Sequence, residues 1–341
     1  MPLISLSICI PTYNFGKFIG ETLESIVCQL TDGVEIVVLD GASTDNTPDI
    51  VSQFQANCPN LRYHRLDKRG GIDRDIAKSI ELANGEYCWL FSSDDVMRKG
   101  AIAKMLSQIK HGHDLYLCKH TNCTFDMKFM HEHPVLRSNE EVEFNLASQS
   151  DRQRYFELAI TTESFFGFLG GIIIKKSKWE SVPINEMFVG SCWGHAARIF
   201  ELMPMGLTLK YLPEPLLDHR GDNDSFSDKG IVNRYKIAID GYHKLGDVFF
   251  GHKSYEAYHI RRVIRYEFGF QIFLETKVLC WKNPSREDRR VLDSLFRKAY
   301  NDDYLLSNLY YFIYMFSPSW LLCAAKRLYA RIKGYDYDPG S

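Results

Sequence analysis

Four times in the first 95 residues an apolar run of strand length stops short, and three of the stops carry polar side chains. Leu6 to Ile10 closes at Pro11 and Thr12, Val34 to Leu39 at Asp40, and Glu86 to Phe91 at Ser92, Ser93, Asp94 and Asp95; Leu61 to Leu66 is the other run. Unbroken β-branched stretches of this length fit strands covered on both faces of a parallel sheet. The segments between them have helical periodicity. Phe18, Ile19, Leu23, Ile26, Val27 and Leu30 form one apolar stripe, Ile50, Val51 and Phe54 a second after Thr47-Pro48, and Ile76, Ile80 and Ala83 a third before Gly85. Parallel strands require such crossovers. The chain is therefore expected to open as an α/β fold, a Rossmann-like and mostly parallel sheet with flanking helices.

In an open parallel sheet, ligands bind beyond the carboxyl ends of the strands, so Thr12, Asp40 and Asp94-Asp95 are expected around one crevice. The first turn, PTYNFGKFIG, has no GxGxxG and the chain has no GxxxxGK[ST], which argues against a dinucleotide oxidoreductase and a P-loop NTPase. A formal net charge of -2 removes nucleic acid as an expected partner. The start, MPLISLSICIPTYN, lacks a secretory pattern, and the nine cysteines form no CxxC pair; both point to a reducing, cytoplasmic setting. His111, His113, Cys118, His120 and Cys123 crowd one segment, but their spacing matches no zinc pattern.

Transfer of a group from a nucleoside diphosphate requires neutralisation of the leaving charge, commonly by a divalent cation on hard oxygen ligands. Asp95 at a strand end suits that need. LSICIPTYN, EIVVLDGASTDNT and ANGEYCWLFSSDD, in this order, resemble the three signatures of family 2 glycosyltransferases with the GT-A fold. The resemblance implies a nucleoside-diphosphate sugar donor and Mn²⁺ or Mg²⁺. By it, Pro11, Thr12 and Tyr13 line the base and ribose pocket, Asp40 faces the base, Asp94 touches the ribose and Asp95 binds the metal. Two positions depart from the family pattern: Gly41 and Ser92 stand where acidic residues are commoner.

GGIDRDIAKSIELANGEYCWLFSSDD together with HRGDNDSFS is similar to abequosyltransferase-like enzymes that decorate O-antigen units. This narrower resemblance implies a hexose or (di)deoxyhexose donor, CDP-linked among the options, and a lipid-linked glycan acceptor. It adds Gly71, Arg74 and Ser93 to the donor site. His219 and Arg220 fall where related enzymes close a loop over the donor, His219 as a second metal ligand and Arg220 neutralising the diphosphate. The acidic motif that supplies the base of inverting relatives has no carboxylate in GSCWGHAAR, which leaves His195 as a candidate base, with Glu163, Asp222 and Asp224 as substitutes. Retention without an enzymic base remains open. Glu163 and Trp193 are expected at the acceptor, where an aromatic face can stack on a sugar.

Residues 1–110 are thus expected to bind the sugar nucleotide and 111–228 the acceptor within one GT-A domain, with a mainly helical extension over 229–341. A strand is expected over Phe165 to Ile174, with glycines for close approach. In 304–333, LLSNLYYFIYMFSPSWLLCAA is broken by Ser317-Pro318-Ser319 and followed by Lys326, Arg327, Arg331 and Lys333. That mix suits a helix lying on the cytoplasmic face of the inner membrane rather than a span; a helical pair packed on the core or on a second copy in a homo-oligomer is the alternative. Rival readings of the whole chain are an inactive sugar-nucleotide or glycan-binding module and a same-fold nucleotidyltransferase.

Overall fold

The four apolar runs form parallel strands joined by helices: β1 (Leu6–Thr12), α1 (Ile19–Val27), β2 (Val34–Asp40), α2 (Thr47–Asn57), β3 (Leu61–Arg65), α3 (Ile72–Leu82) and β4 (Tyr87–Leu90). Every residue of β1 and β2 is buried, which is why their sequences show no polar alternation. The exceptions in composition pair with each other: Ser7 Oγ donates to Glu35 Oε1 at 2.7 Å, and Arg62 lies 3.3 Å from Glu35 Oε2. The computed structural model describes residues 4–223, 226, 229–284, 287–300 and 305–333. The chain divides into two units, Met1–Asn223 and Asp224–Ser341.

The first unit continues with β5 (Val96–Met97), α4 (Ala101–Gln108), β6 (Leu115–Cys123), β7 (Phe129–Glu132), β8 (Val142–Asn145), α5 (Gln149–Leu158), β9 (Ile172–Lys175), α6 (Lys176–Glu180), α7 (Gly194–Leu202) and β10 (Thr208–Arg220). The sheet order is β3-β2-β1-β4-β9-β6-β10-β5, with β7 on β6 and β8 on β10. β9 runs antiparallel between β4 and β6. β10 is parallel to β6, and its register shifts between Leu212 and Asp218 bend it before His219 and Arg220. This is the mixed, mostly parallel sheet with flanking helices that the sequence leads one to expect.

Only the last part of the Phe165 to Ile174 expectation is a strand. Thr162–Phe165 and Leu169–Gly171 are 3-10 turns, because Phe165 and Phe166 turn into an aromatic cluster instead of a ladder: Phe165 lies 5.1 Å from Phe156, and Phe166 lies 6.2 Å from Phe200. The glycine argument holds at Gly170, where a Cβ would sit 2.4 Å from Leu217 Cδ1. Its carbonyl accepts from Trp89 Nε1 at 2.7 Å.

The second unit contains α8 (Ile231–Phe249), α9 (Tyr255–Glu267), α10 (Phe270–Lys282), α11 (Arg289–Tyr300), α12 (Leu305–Phe316) and α13 (Ser319–Lys333). Phe296 is central to its core, stacked on Tyr314 with ring centroids 4.0 Å apart and edge-on to Phe273 at 5.1 Å. Among the described residues no helix is long and apolar enough to cross a membrane.

Candidate active site

Parallel pairing of β2, β1 and β4 puts the ends of these three strands side by side on one edge of the sheet. There the Gly41 N–H donates to Thr12 O at 2.9 Å, and the loops after β1 and β2 are laced together by Asn14 N to Ser43 Oγ and Phe15 N to Thr47 Oγ1. Pro11 and Thr12 are buried, with Thr12 Oγ1 lacking a partner, and Tyr13 lies under the Arg69 guanidinium at 4.0 Å. Asp40 has no exposure: Oδ1 accepts from Ser43 N at 2.7 Å and Oδ2 from Tyr63 Oη at 2.7 Å. Both of its oxygens are therefore engaged by the protein.

Asp95 is also fully buried but is held on one side only. Oδ1 accepts from His219 Nδ1 at 2.9 Å and from the Arg220 N–H at 3.0 Å, while Oδ2 has no partner. Thr22 Oγ fixes the backbone by donating to Asp95 O at 2.8 Å. A buried anionic oxygen without a donor is costly, and a cation is the ligand that removes the cost. Among the described residues no group of three or more His, Cys, Asp or Glu side chains could hold a metal by itself. A cation here would take the rest of its shell from diphosphate oxygens and water, as Mg²⁺ and Mn²⁺ sites with few protein ligands do.

The neighbours of Asp95 are charged in a consistent way. Burial, then the Asp95 charge, raises the Asp94 carboxyl to about 6, and Asn223 Nδ2 donates to it at 2.7 Å. Burial opposes charge on His219, but its bond to Asp95 and the nearby carboxylates outweigh burial and raise its pKa. Arg220 is buried: Nε donates to Asp94 O at 3.0 Å, Nη1 to Phe125 O at 2.7 Å, and Nη2 to Glu21.

His219 also lines a cavity of ≈ 250 Å³ bounded by β6, β7 and the turn holding Glu163. His120 stacks on His133 at 4.6 Å and packs on Phe168 at 4.2 Å. Asn122 organises the rings: Oδ1 lies 3.1 Å from His120 Nε2, and Nδ2 lies 3.2 Å from His131 Nε2 and 3.1 Å from His133 Nδ1. His133 Nε2 in turn lies 2.9 Å from Glu163 Oε2. Burial opposes the Glu163 charge, but the hydrogen bond and charge of His133 prevail and hold the carboxyl down at about 2.

A profile of glycosyl transferase family 2 matches residues 7–174. The abequosyltransferase RfbV of Salmonella typhimurium is 33% identical over 255 residues, covering 72% of this chain and 75% of that protein. The chain belongs to glycosyl transferase family 2. The fold is similar to those of solved structures. S. aureus TarS 1-349 in complex with UDP-GlcNAc has a TM-score of 0.61 at 17% identity over 98% of this chain and 93% of that one. The mannosyltransferase PcManGT of Pyrobaculum calidifontis, in complex with GDP-Man and Mn²⁺, has a TM-score of 0.52 at 16% identity, covering 96% and 87%.

The glycosyltransferase thus gathers Asp94, Asp95, His219, Arg220 and Glu163 into one neighbourhood. The other expected residues make different contacts. The His195 ring is buried in α7, with Nε2 2.8 Å from Phe166 O and its pKa lowered by burial. Trp193, which precedes α7, is buried, and its ring lies 6.3 Å from that of His195. Arg74 pairs with Glu186 at 2.8 Å on an exposed surface. Gly71 precedes α3 at φ +90°, open to solvent on its Cβ side, and Ser93 is buried between the strand end and Asp94. Asp222 adopts φ 55°, whereas Asp224 lies outside the described residues.

Several residues that organise the transferase's site were not picked out from sequence. Asp73 accepts three backbone N–H groups where the chain enters α7, from Gly190 at 2.8 Å, Cys192 at 3.1 Å and Gly194 at 2.8 Å. Asp75 is buried against Gly41 and Gly70, where an added Cβ would meet its carboxylate oxygens at 2.9 and 2.5 Å. Two acidic residues in the first turn of an amphipathic helix were the available signal for both.

Proposed function

We propose that this family 2 glycosyltransferase moves a hexose or (di)deoxyhexose from a nucleoside-diphosphate sugar to a hydroxyl of a lipid-linked cell-surface oligosaccharide such as an O-antigen unit. The observation that carries the reading is the unpartnered, buried Asp95 Oδ2 beside a cavity with hydrogen-bonding walls. The name of the Salmonella relative, an abequosyltransferase, supports a dideoxyhexose such as abequose as the sugar transferred.

In this reading Asp95 Oδ2 and His219 would hold Mn²⁺ or Mg²⁺, which supplies charge neutralisation at the leaving diphosphate when bound. The His219 bond to Asp95 Oδ1 aims the free oxygen, a role that second ligands commonly share with orientation. Arg220 acts through its neighbours: its three bonds clamp the Asp94 carbonyl and the loop at Phe125, so the carboxylate pair keeps its place. Pro11, Thr12, Tyr13, Asp40, Gly71, Arg74, Ser93 and Asp94 form the nucleotide side.

Glu163 and Trp193 stay on the acceptor side. A carboxyl held at about 2 stays ionised and is a weak base, so Glu163 is suited to accept hydrogen bonds from hydroxyls rather than to take their protons. His195 positions the turn at Phe166, whose carbonyl it bonds. In the second unit, α12 leaves Leu309, Phe312, Ile313 and Phe316 exposed and α13 leaves Trp320, Leu321 and Leu328, a surface suited to the cytoplasmic face of the inner membrane and to a lipid-linked acceptor.

Thermal shift against UDP, CDP, GDP and dTDP, each with and without Mn²⁺, tests the donor side. A preferred base should stabilise the protein by about 2.7 kcal/mol at a hundredfold excess over its Kd, in a Mn²⁺-dependent way that Asp95→Ala abolishes. Failure of all four nucleotides with Mn²⁺ to stabilise the wild type would falsify the reading.

A further inference from the structure

The first turn of α3 is gripped from two sides. Asp73 and Asp75 stand two residues apart, about 200° round the helix axis, so their side chains leave it in nearly opposite directions. Both are nevertheless buried, at 3% and 5% exposure. On one side Asp75 occupies the room that a side chain at Gly41 would take: a Cβ there would lie 2.9 Å from Asp75 Oδ2, and the Gly41 N–H is bonded to Thr12 O. On the other side Asp73 accepts from Gly190, Cys192 and Gly194, so close that a Cβ at Gly194 would lie 3.0 Å from its own.

Three N–H groups converge on one carboxylate because the backbone bends to present them. Gly190 at φ +81° and Cys192 at φ 72° are both left-handed, a conformation that costs a cysteine free energy. Charge-assisted bonds to Asp73 offset that cost. From Gly194 the chain enters α7, where His195 Nε2 lies 2.8 Å from Phe166 O, and the Phe166 N–H donates to Glu163 O at 3.0 Å. Asp73 therefore heads a bonded path that ends in the turn carrying Glu163.

We propose that the first turn of α3 is a strut between the loops that seat the nucleotide and the acceptor-side segment 190–194, and that Asp73 is the positioning residue through which a bound nucleotide holds that segment in place. Opening of the segment alone strands a buried carboxylate. The turn can follow the segment outward only if Asp75 leaves Gly41, in the loop after β2. A nucleotide bracing the loops after β1 and β2 blocks that movement, so its binding raises the cost of opening at 190–194. The inference rests on the function proposed above, which places a nucleoside diphosphate across those loops.

Hydrogen–deuterium exchange tests it on the full chain, with Mn²⁺ and whichever of UDP, CDP, GDP and dTDP binds. The dissociation constant is measured calorimetrically for wild type, Asp73→Ala and Asp73→Asn, and each protein is then compared free and at a hundredfold excess over its own constant. In the wild type the nucleotide should slow exchange at residues 190–194 at least tenfold, against a ceiling of about 100-fold for an opening that excludes the ligand. In Asp73→Ala the slowing should be under about twofold, while the amides of β2 respond alike in both proteins. Asp73→Asn keeps one accepting oxygen and should fall between the two; it carries the measurement alone if Asp73→Ala does not fold.

A merely structural Asp73 gives a different result. Its removal would quicken exchange at 190–194 in the free protein yet leave the ratio between free and bound unchanged, and a wild-type ratio in the variants overturns the inference. So does a wild type that binds nucleotide without any slowing at 190–194; in both cases the donor reading stands. Loss of nucleotide binding in both variants also overturns it, since Asp73 would then hold the pocket itself. If none of the four nucleotides binds the wild type, the proposed function fails and the strut falls with it.

Discussion

Asp40 closes one parallel strand and Asp95 follows the end of another, and neither side chain has any exposure. At Asp40 the protein supplies donors to both oxygens, from Ser43 and Tyr63. At Asp95 it supplies two donors to one oxygen and none to the other. A carboxylate satisfied on both sides holds loops together, whereas one left half-satisfied in a buried place can still accept a cation. Under the function proposed above, the difference separates two roles, a carboxylate that holds the loops bordering the nucleotide and one that faces the cation, and each has a distinct experimental mark.

The largest effect is expected from Asp95→Asn. The amide oxygen can still accept from His219 and Arg220, so the fold should keep its unfolding midpoint, while the lost charge at Oδ2 should lower transfer on the order of 10³-fold, about 4 kcal/mol. Metal-dependent initial rates and a urea titration measure the two sides. Activity within tenfold of wild type would place the cation elsewhere and erase the contrast.

Asp40→Ala should show the opposite pattern. It strands the Tyr63 hydroxyl and the Ser43 N–H and is expected to cost about 2–3 kcal/mol of stability, with nucleotide affinity falling as a secondary effect. The family resemblance assigns Asp40 to the base, so the comparison can be broken here: unchanged stability with abolished nucleotide binding would make Asp40 a ligand group despite its two protein partners.

A smaller effect of the same kind is expected at Asp73. Its three backbone bonds tie α3 to the segment before α7, and Asp73→Asn weakens them by removing charge while keeping one acceptor. Roughly 1–2 kcal/mol of stability should be lost, together with amide-exchange protection at residues 190–194. Protection that survives would show that the segment is held by its own packing.

How far these roles could be read beforehand depends on the range of the contacts that make them. The first four strands and three helices were legible because burial on both faces of β1 and β2 writes continuous apolar runs, and the crossovers write a 3.6-residue stripe. Asp95 was legible from its position after such a run. The satisfaction of Asp40 was not, since it depends on a tyrosine in the neighbouring strand β3. The histidine cavity was further from reach: His120 and Asn122 alternate on β6, but His133, Glu163 and His219 come from other parts of the chain, and no local period links them to that strand. The crowding of His111, His113, Cys118, His120 and Cys123 suggested a cluster, but only His120 and Cys123 line the cavity. The strand ending in Ile174 was overextended because glycine and phenylalanine fit both a strand and a tight aromatic turn.

The same distinction between satisfied and unsatisfied surface applies, in apolar terms, to α12. Tyr314 on one face is fully buried on Phe296, whereas Leu309, Phe312, Ile313 and Phe316 recur at i, i+3, i+4 and i+7 and are all exposed. Replacing both Phe312 and Phe316 with glutamine should leave the melting transition unchanged, because neither ring is in the core. Sedimentation with phosphatidylglycerol vesicles should weaken by about tenfold, or 1.4 kcal/mol, a fraction of the 1.5–3 kcal/mol that full burial of one such side chain provides. Vesicle binding that persists undiminished would remove the lipid role. A fall in sedimentation coefficient in the variant without vesicles would instead reveal that the stripe is covered by a second copy of the chain, and the exposed face would join the satisfied ones.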